Sequence, residues 1–162
     1  MNSYVEFFQG LPPELATALI AMMPIGENRV AVPVAMTVYD LPAGQAIFWA
    51  SVGGIIAAAI IIFFIDAVVK IIRGKMTLAD RFLDWFFART ERRFMQKYER
   101  WGEIALMLFV AIPLPMTGFW TGSIAAFLFG IKPARALLFI SVGVILSACI
   151  VAVLSAGFLA II

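Results

Sequence analysis

The sequence contains no histidine and only one cysteine, Cys149. Serine-histidine-aspartate and cysteine-histidine chemistry therefore lack their base, and histidine-ligated metal sites lack their ligand. Cys149 has no partner for an intrachain disulfide and none of the companions a thiolate metal site needs, so it is read as a packing residue. No phosphate-binding loop of the GxxxxGK[ST] type occurs, which removes ATP as an energy source. No enzyme, cofactor or nucleic-acid partner is expected. No basic residue precedes Arg29, so the start of the chain lacks the charged region of a cleavable export signal, and the whole chain is read as mature. Charge is also missing from residues 41–65, 104–131 and 136–162. Each of these runs exceeds the ~20 residues that cross a bilayer.

Apolar side chains dominate: 64% of the 162 residues are hydrophobic and the mean hydropathy is +1.03. Soluble domains have roughly 45–50%. The fold class expected is an all-α integral membrane protein, one domain over 1–162. Within residues 14–39 the apolar run is interrupted by Pro24, Gly26, Glu27, Asn28 and Arg29, and each flanking piece is too short to cross. Two half-helices meeting at a polar break fit better than one span. Residues 44–72 form a full span in which Gly53, Gly54, Ala57 and Ala58 give small-xxx-small pairs that admit another helix backbone. Asp66, near its end, has Lys70 one turn on and is read mainly as half of an interfacial pair.

Residues 73–102 change character, mixing Arg and Lys with acids and with aromatics at three-to-four spacing. They are expected to form a basic amphipathic connector, lying either in the interface or on the protein as a solvated helix. Residues 103–131 repeat the broken design with Pro113, Pro115, Gly118 and Gly122, since Pro115 removes a backbone donor and Leu114 before it is pushed out of helical angles. Residues 134–160 form a second unbroken span.

The two halves are related. Residues 50–60 and 140–150 match at six of eleven positions, sharing Ser-Val-Gly, and at nearly the same offset Pro24 pairs with Pro113 and Pro42 with Pro133. If each broken segment is a re-entrant hairpin, each half (1–72 and 103–162) crosses once and the second is inverted, an inverted-topology repeat. Charge tests this independently. With the connector cytoplasmic and both termini outside, Lys132 and Arg135 return to the cytoplasm, and eleven of the twelve basic residues lie on or near that face. A homodimer through the Gly53 and Gly143 faces is a further expectation.

Between Leu15 and Tyr39 the only charges are Glu27 and Arg29, and a charge at mid-membrane costs about 2.5–3.5 kcal/mol on insertion scales. Either they hold the break or they function: Glu27 by exchanging a proton, Arg29 by attracting an anionic group beside a half-helix N-terminus. The second break brings hydroxyls from Thr117, Thr121 and Ser123 and the Trp120 indole. The candidate substrate and proton site is therefore Glu27, Asn28, Arg29 and Pro24 with Pro113, Pro115, Thr117, Gly118, Trp120 and Thr121, the two breaks facing each other near the midplane.

Two stretches, Pro24-Ile-Gly-Glu-Asn-Arg-Val-Ala-Val-Pro33 and Ala111-Ile-Pro-Leu-Pro-Met-Thr-Gly-Phe-Trp-Thr-Gly-Ser123, resemble the small multidrug export protein family, itself distantly similar to the DedA and VTT-domain membrane proteins. The resemblance implies two re-entrant hairpins against spanning helices. It also implies a role for an acid and an arginine of the hairpins, here Glu27 and Arg29, in moving phospholipid or polyprenyl phosphate. Gly54 departs from the family pattern, which has Asn after Gly53. The leading expectation is a small transporter of an amphipathic, anionic, lipid-like substrate, with proton coupling at Glu27. The alternatives are a proton-coupled exporter of small hydrophobic drugs, to which Arg29 is an obstacle, and a non-transporting membrane scaffold.

Overall fold

The computed structural model describes residues 10–72, 102–114 and 117–159. Nearly all of the expected connector, 73–101, and Pro115 lie outside them. Every element among the described residues is a helix: α1 Pro13–Met22, α2 Glu27–Thr37, α3 Ala43–Ile72, α4 Glu103–Ala111, α5 Phe119–Leu128 and α6 Pro133–Leu159. The order short, short, long thus occurs twice.

Proline sets the boundaries. α1 opens on Pro13 with Glu14 in its first turn, where a missing N–H costs nothing and an acid meets the positive helix end. It stops at Met23, whose extended φ −71°, ψ 140° is what the following Pro24 demands. α4 stops for the same reason at Ile112, φ −78°, ψ 116°, before Pro113. The second helix of each pair also ends alike. The Leu41 N–H donates to the Ala35 carbonyl and the Ile131 N–H to the Ala126 carbonyl, both 2.9 Å, closing over left-handed residues Asp40 (φ 52°) and Gly130 (φ 63°). Glycine takes that conformation freely, whereas Asp40 takes it at a steric cost.

Packing repeats as well. α1 contacts α2 and α3 as α4 contacts α5 and α6, and α2 reaches across to α6 as α5 reaches across to α3. Two glycines permit the closest approaches. A Cβ on Gly53 would fall on the Ala18 carbonyl, with Ala18 Cα 2.9 Å away; one on Gly143 would lie 2.7 Å from the Met107 carbonyl oxygen and 2.8 Å from Val110 Cβ. The short first helix of each half is therefore seated on the long helix of its own half. The chain thus packs its own helices against Gly53 and Gly143, the faces through which a dimer was expected. Gly53→Ala should lower stability by about 2–3 kcal/mol through overpacking against rigid backbone. Gly44→Ala, where a Cβ meets nothing within 4 Å, should leave it unchanged. Thermal unfolding in detergent compares the two.

Two apolar cores result. One joins Ala16, Ile20, Ala31 and Val32 to Ala46 and Ala50 of α3 and Ala148 and Val151 of α6; the other joins Leu106, Val110, Phe119 and Ala125 to Ala57, Ala58 and Ile62 of α3 and Ala136, Ile140 and Val144 of α6. The beginning of α3 thus meets the end of α6 and the reverse, so the long helices run antiparallel. A methyl on Gly54 would come 3.0 Å from Val144 Cγ1, which places their crossing there.

The outer faces of the long helices are apolar. Phe48, Phe63, Phe64, Leu138, Val153 and Leu154 are all exposed, and the most apolar window of each long helix is only 39% buried. A core helix of a soluble protein would be mostly covered, whereas continuous exposed apolar surface of this extent needs a membrane or a partner. Residues Ala43–Ala67 and Pro133–Gly157 are long and apolar enough to cross a bilayer.

Candidate functional site

The site lies between the two apolar cores, where the breaks meet. α2 begins beside the α3–α6 crossing with Glu27, Asn28 and Arg29, and Asn28 bonds Val144 there. Glu27 has φ 47°, a left-handed conformation that costs a non-glycine residue of order 1–3 kcal/mol. That strain aims its carboxylate at the start of α5. Gly118, the residue before α5, has no side chain to cap the helix, and a Cβ there would overlap the Glu27 carboxylate. The carboxylate occupies the capping position from the other half of the molecule, with the Trp120 backbone N–H as a partner. A negative group is favoured at this positive helix end.

Arg29 completes the junction. Its guanidinium lies 3.1 Å from Glu27 Oε2, and its other arm donates to the Leu114 carbonyl at 2.6 Å. That carbonyl and the Ile112 carbonyl also accept from the Thr117 hydroxyl, both at 2.7 Å, which holds the second break in its bend. Asn28 donates from Nδ2 to the Val144 carbonyl at 2.8 Å, while its Oδ1 is buried with no partner among the described residues. The Trp120 indole N–H donates to the Met22 carbonyl at 3.2 Å, tying α5 to the end of α1. Glu27 and Asn28 are only 6% and 4% exposed; the Arg29 side chain is 24% exposed. Removing either charge of such a pair leaves the other uncompensated, which is why its components are energetically coupled.

Glu27, Asn28, Arg29, Pro113, Thr117 and Gly118 line one cavity, as expected for facing breaks. Trp120 contributes through its backbone and its indole, outside the lining. Pro24 and Thr121 do not line the cavity; Pro24 is exposed at the tip of its turn and acts by ending α1. Sequence reasoning missed Ser147 and Val144 of α6 and Phe119, which also line it. Ser147 could have been found as a hydroxyl one turn beyond the α3–α6 crossing. Asp66 is exposed on α3 and is not part of the lining, and Cys149 is half-buried on α6.

Depth follows from the crossing. Gly54 and Val144 are each the twelfth residue of a 25-residue apolar helix, Ala43–Ala67 and Pro133–Gly157. Asn28 bonds Val144, so the polar cluster sits at the middle of both. The cavity is only about 10 Å³, room for about one water. It is a narrow, partly open cleft, and a drug-sized molecule needs hundreds of Å³.

A family model described as "Putative small multi-drug export protein" matches residues 27–150, from the acid of the first break to near the middle of α6's second half. No curated protein and no solved structure matches the chain.

Proposed function

The chain belongs to the small multi-drug export protein family, and from that premise we propose that it is a proton-coupled membrane exporter of small hydrophobic cations. The family description supports drug export and lends nothing to the anionic lipid-like substrate that the sequence reading put first. The observation that carries the proposal is a carboxylate, Glu27, buried at the mid-depth of two apolar helices and facing one cation, Arg29. Arg29, an obstacle in the sequence reading, takes a definite part here: it neutralises Glu27 when no substrate is bound. A cationic substrate entering the site replaces it on the carboxylate, and Arg29 keeps the Leu114 carbonyl. A proton delivered to Glu27 then releases the substrate.

The proposed topology has both short pairs re-entrant and the halves inverted. Three features support it: the antiparallel long helices, the matching contacts of the two halves, and the Arg135–Glu103 pair at 3.4 Å. That pair sets the start of α4 beside the start of α6, which supports a course in which α4 and α5 go in and come back. A cysteine at Lys132 is expected to react with a membrane-impermeant maleimide only from the cytoplasmic face; reaction from outside in intact cells rejects the topology.

The function is tested in liposomes holding purified protein under a pH gradient, with a cationic dye in one set and fluorescent phospholipid or polyprenyl phosphate in another. Gradient-driven movement of the dye without lipid flip is the expected result. Lipid flip that ignores the gradient and the dye restores the lipid reading, and inactivity of folded protein in both sets favours a scaffold.

A further inference from the structure

Asn28 is 4% exposed, lines the cavity and leaves its Oδ1 without a protein partner, although its Nδ2 is well bonded to Val144. A buried amide oxygen with no hydrogen bond is costly, so such a group marks a place where something donates. The cavity that Asn28 lines has about 10 Å³ of free space, just enough to hold about one water, and its polar walls are Glu27, Arg29, Thr117 and Ser147. A water needs two to four polar partners, and this wall supplies them. A bare cation is disfavoured, because Arg29 already neutralises the single carboxylate.

We propose that Asn28 Oδ1 and the Glu27 carboxylate bind one structural water in this cavity, and that Asn28 is thereby a positioning residue for the proton that Glu27 exchanges. The water donates one hydrogen to Asn28 Oδ1 and one to a Glu27 oxygen, and its lone pairs accept from the Ser147 hydroxyl or the Arg29 guanidinium. A proton reaching it makes hydronium; transfer to the carboxylate leaves neutral water and a neutral acid, and the Arg29 pair is released. Among the described residues, Glu27 and Arg29 are the only ionisable side chains in the lining; α4, α6 and the second break contribute apolar side chains, hydroxyls and backbone to it. The proton step rests on the exporter reading, whereas the water site does not.

Infrared difference spectra of the protein in lipid nanodiscs, stepped in pH in ordinary and in oxygen-18 water, read the site directly. The wild type should show an isotope-sensitive O–H band that disappears in Asn28→Leu, shifts in Ser147→Ala and stays unchanged in Ser123→Ala, a buried hydroxyl outside the cavity. Asn28→Ser, which keeps a polar atom, should retain a shifted band; it decides the matter if the leucine variant does not fold. Gradient-driven dye efflux should fall by about tenfold or more in Asn28→Leu, which removes the bond to the water and also the Nδ2 bond to the Val144 carbonyl. An unaltered band in both Asn28 variants, or none in folded wild type, overturns the proposal. A band that follows Asn28 in protein that moves no dye upholds the water site and removes the exporter reading instead.

Discussion

Glu27→Gln is expected to abolish the pH dependence of dye efflux and to weaken binding of a cationic dye by about 10- to 100-fold. That range corresponds to one charge-assisted interaction, worth about 1.5–3 kcal/mol. Glutamine keeps the size and can still accept from the Trp120 N–H, but it cannot take up and release a proton. It also leaves the Arg29 guanidinium without its counter-charge at mid-depth, bound only to the Leu114 carbonyl. Arg29→Gln separates the two transport readings. For a cationic substrate, removing the built-in competitor should tighten dye binding in equilibrium dialysis. For an anionic substrate it should remove the attracting charge and weaken binding. Tighter anion binding in Arg29→Gln fits neither and would sink both.

Gly118→Ala should be comparably severe without touching any charge. The added methyl occupies the place of the Glu27 carboxylate, so the carboxylate must leave the α5 N-terminus or the break must open. Overpacking costs about 1–3 kcal/mol, and losing an acid from a helix N-terminus adds up to about 2 kcal/mol. The expected outcome is a lowered unfolding temperature together with efflux reduced to about the level of Glu27→Gln. Gly130→Ala provides the contrast. Its Cβ meets nothing within 4 Å, but its φ of 63° strains any side chain, so it should cost stability and spare the pH dependence. If Gly118→Ala transports normally, the carboxylate's position at that helix end is irrelevant to function.

Much of the fold was legible because proline and charge act locally. Pro24 and Pro113 end α1 and α4 through their effect on the residue before them, and this needs no knowledge of the rest of the chain. The long helices likewise declared themselves by uninterrupted apolar length. The meeting of the two breaks was legible from the cost of freed backbone in a membrane. Its particulars were not: that Glu27 stands at the capping position left bare by Gly118, or that Asn28 holds Val144, depends on contacts between residues about 90 and 116 positions apart. Gly53 shows the limit most clearly. Its small size announced a close helix contact, but size does not name the neighbour, and the neighbour is α1 of the same chain rather than a second copy. Pro24 and Thr121 were assigned to the site by proximity in sequence, whereas a helix turn directs adjacent residues to different faces.

The crossing of α3 and α6 at Gly54 and Val144 divides each apolar helix into eleven residues before it and thirteen after, 25 with the crossing residue. At 1.5 Å per residue the arms are about 17 and 20 Å. Such a crossing is a balanced fulcrum: a tilt of about 10° at the pivot would swing either end by roughly 3 Å, and because the helices cross near their middles, one side would widen as the other narrows. The glycine at the pivot keeps that joint thin, and the Glu27–Arg29 pair sits beside it, where small rotations change least. On the exporter reading proposed above, the same geometry gives the inward and outward openings nearly equal reach, and the proton gradient rather than the shape of the protein then sets the direction of net movement.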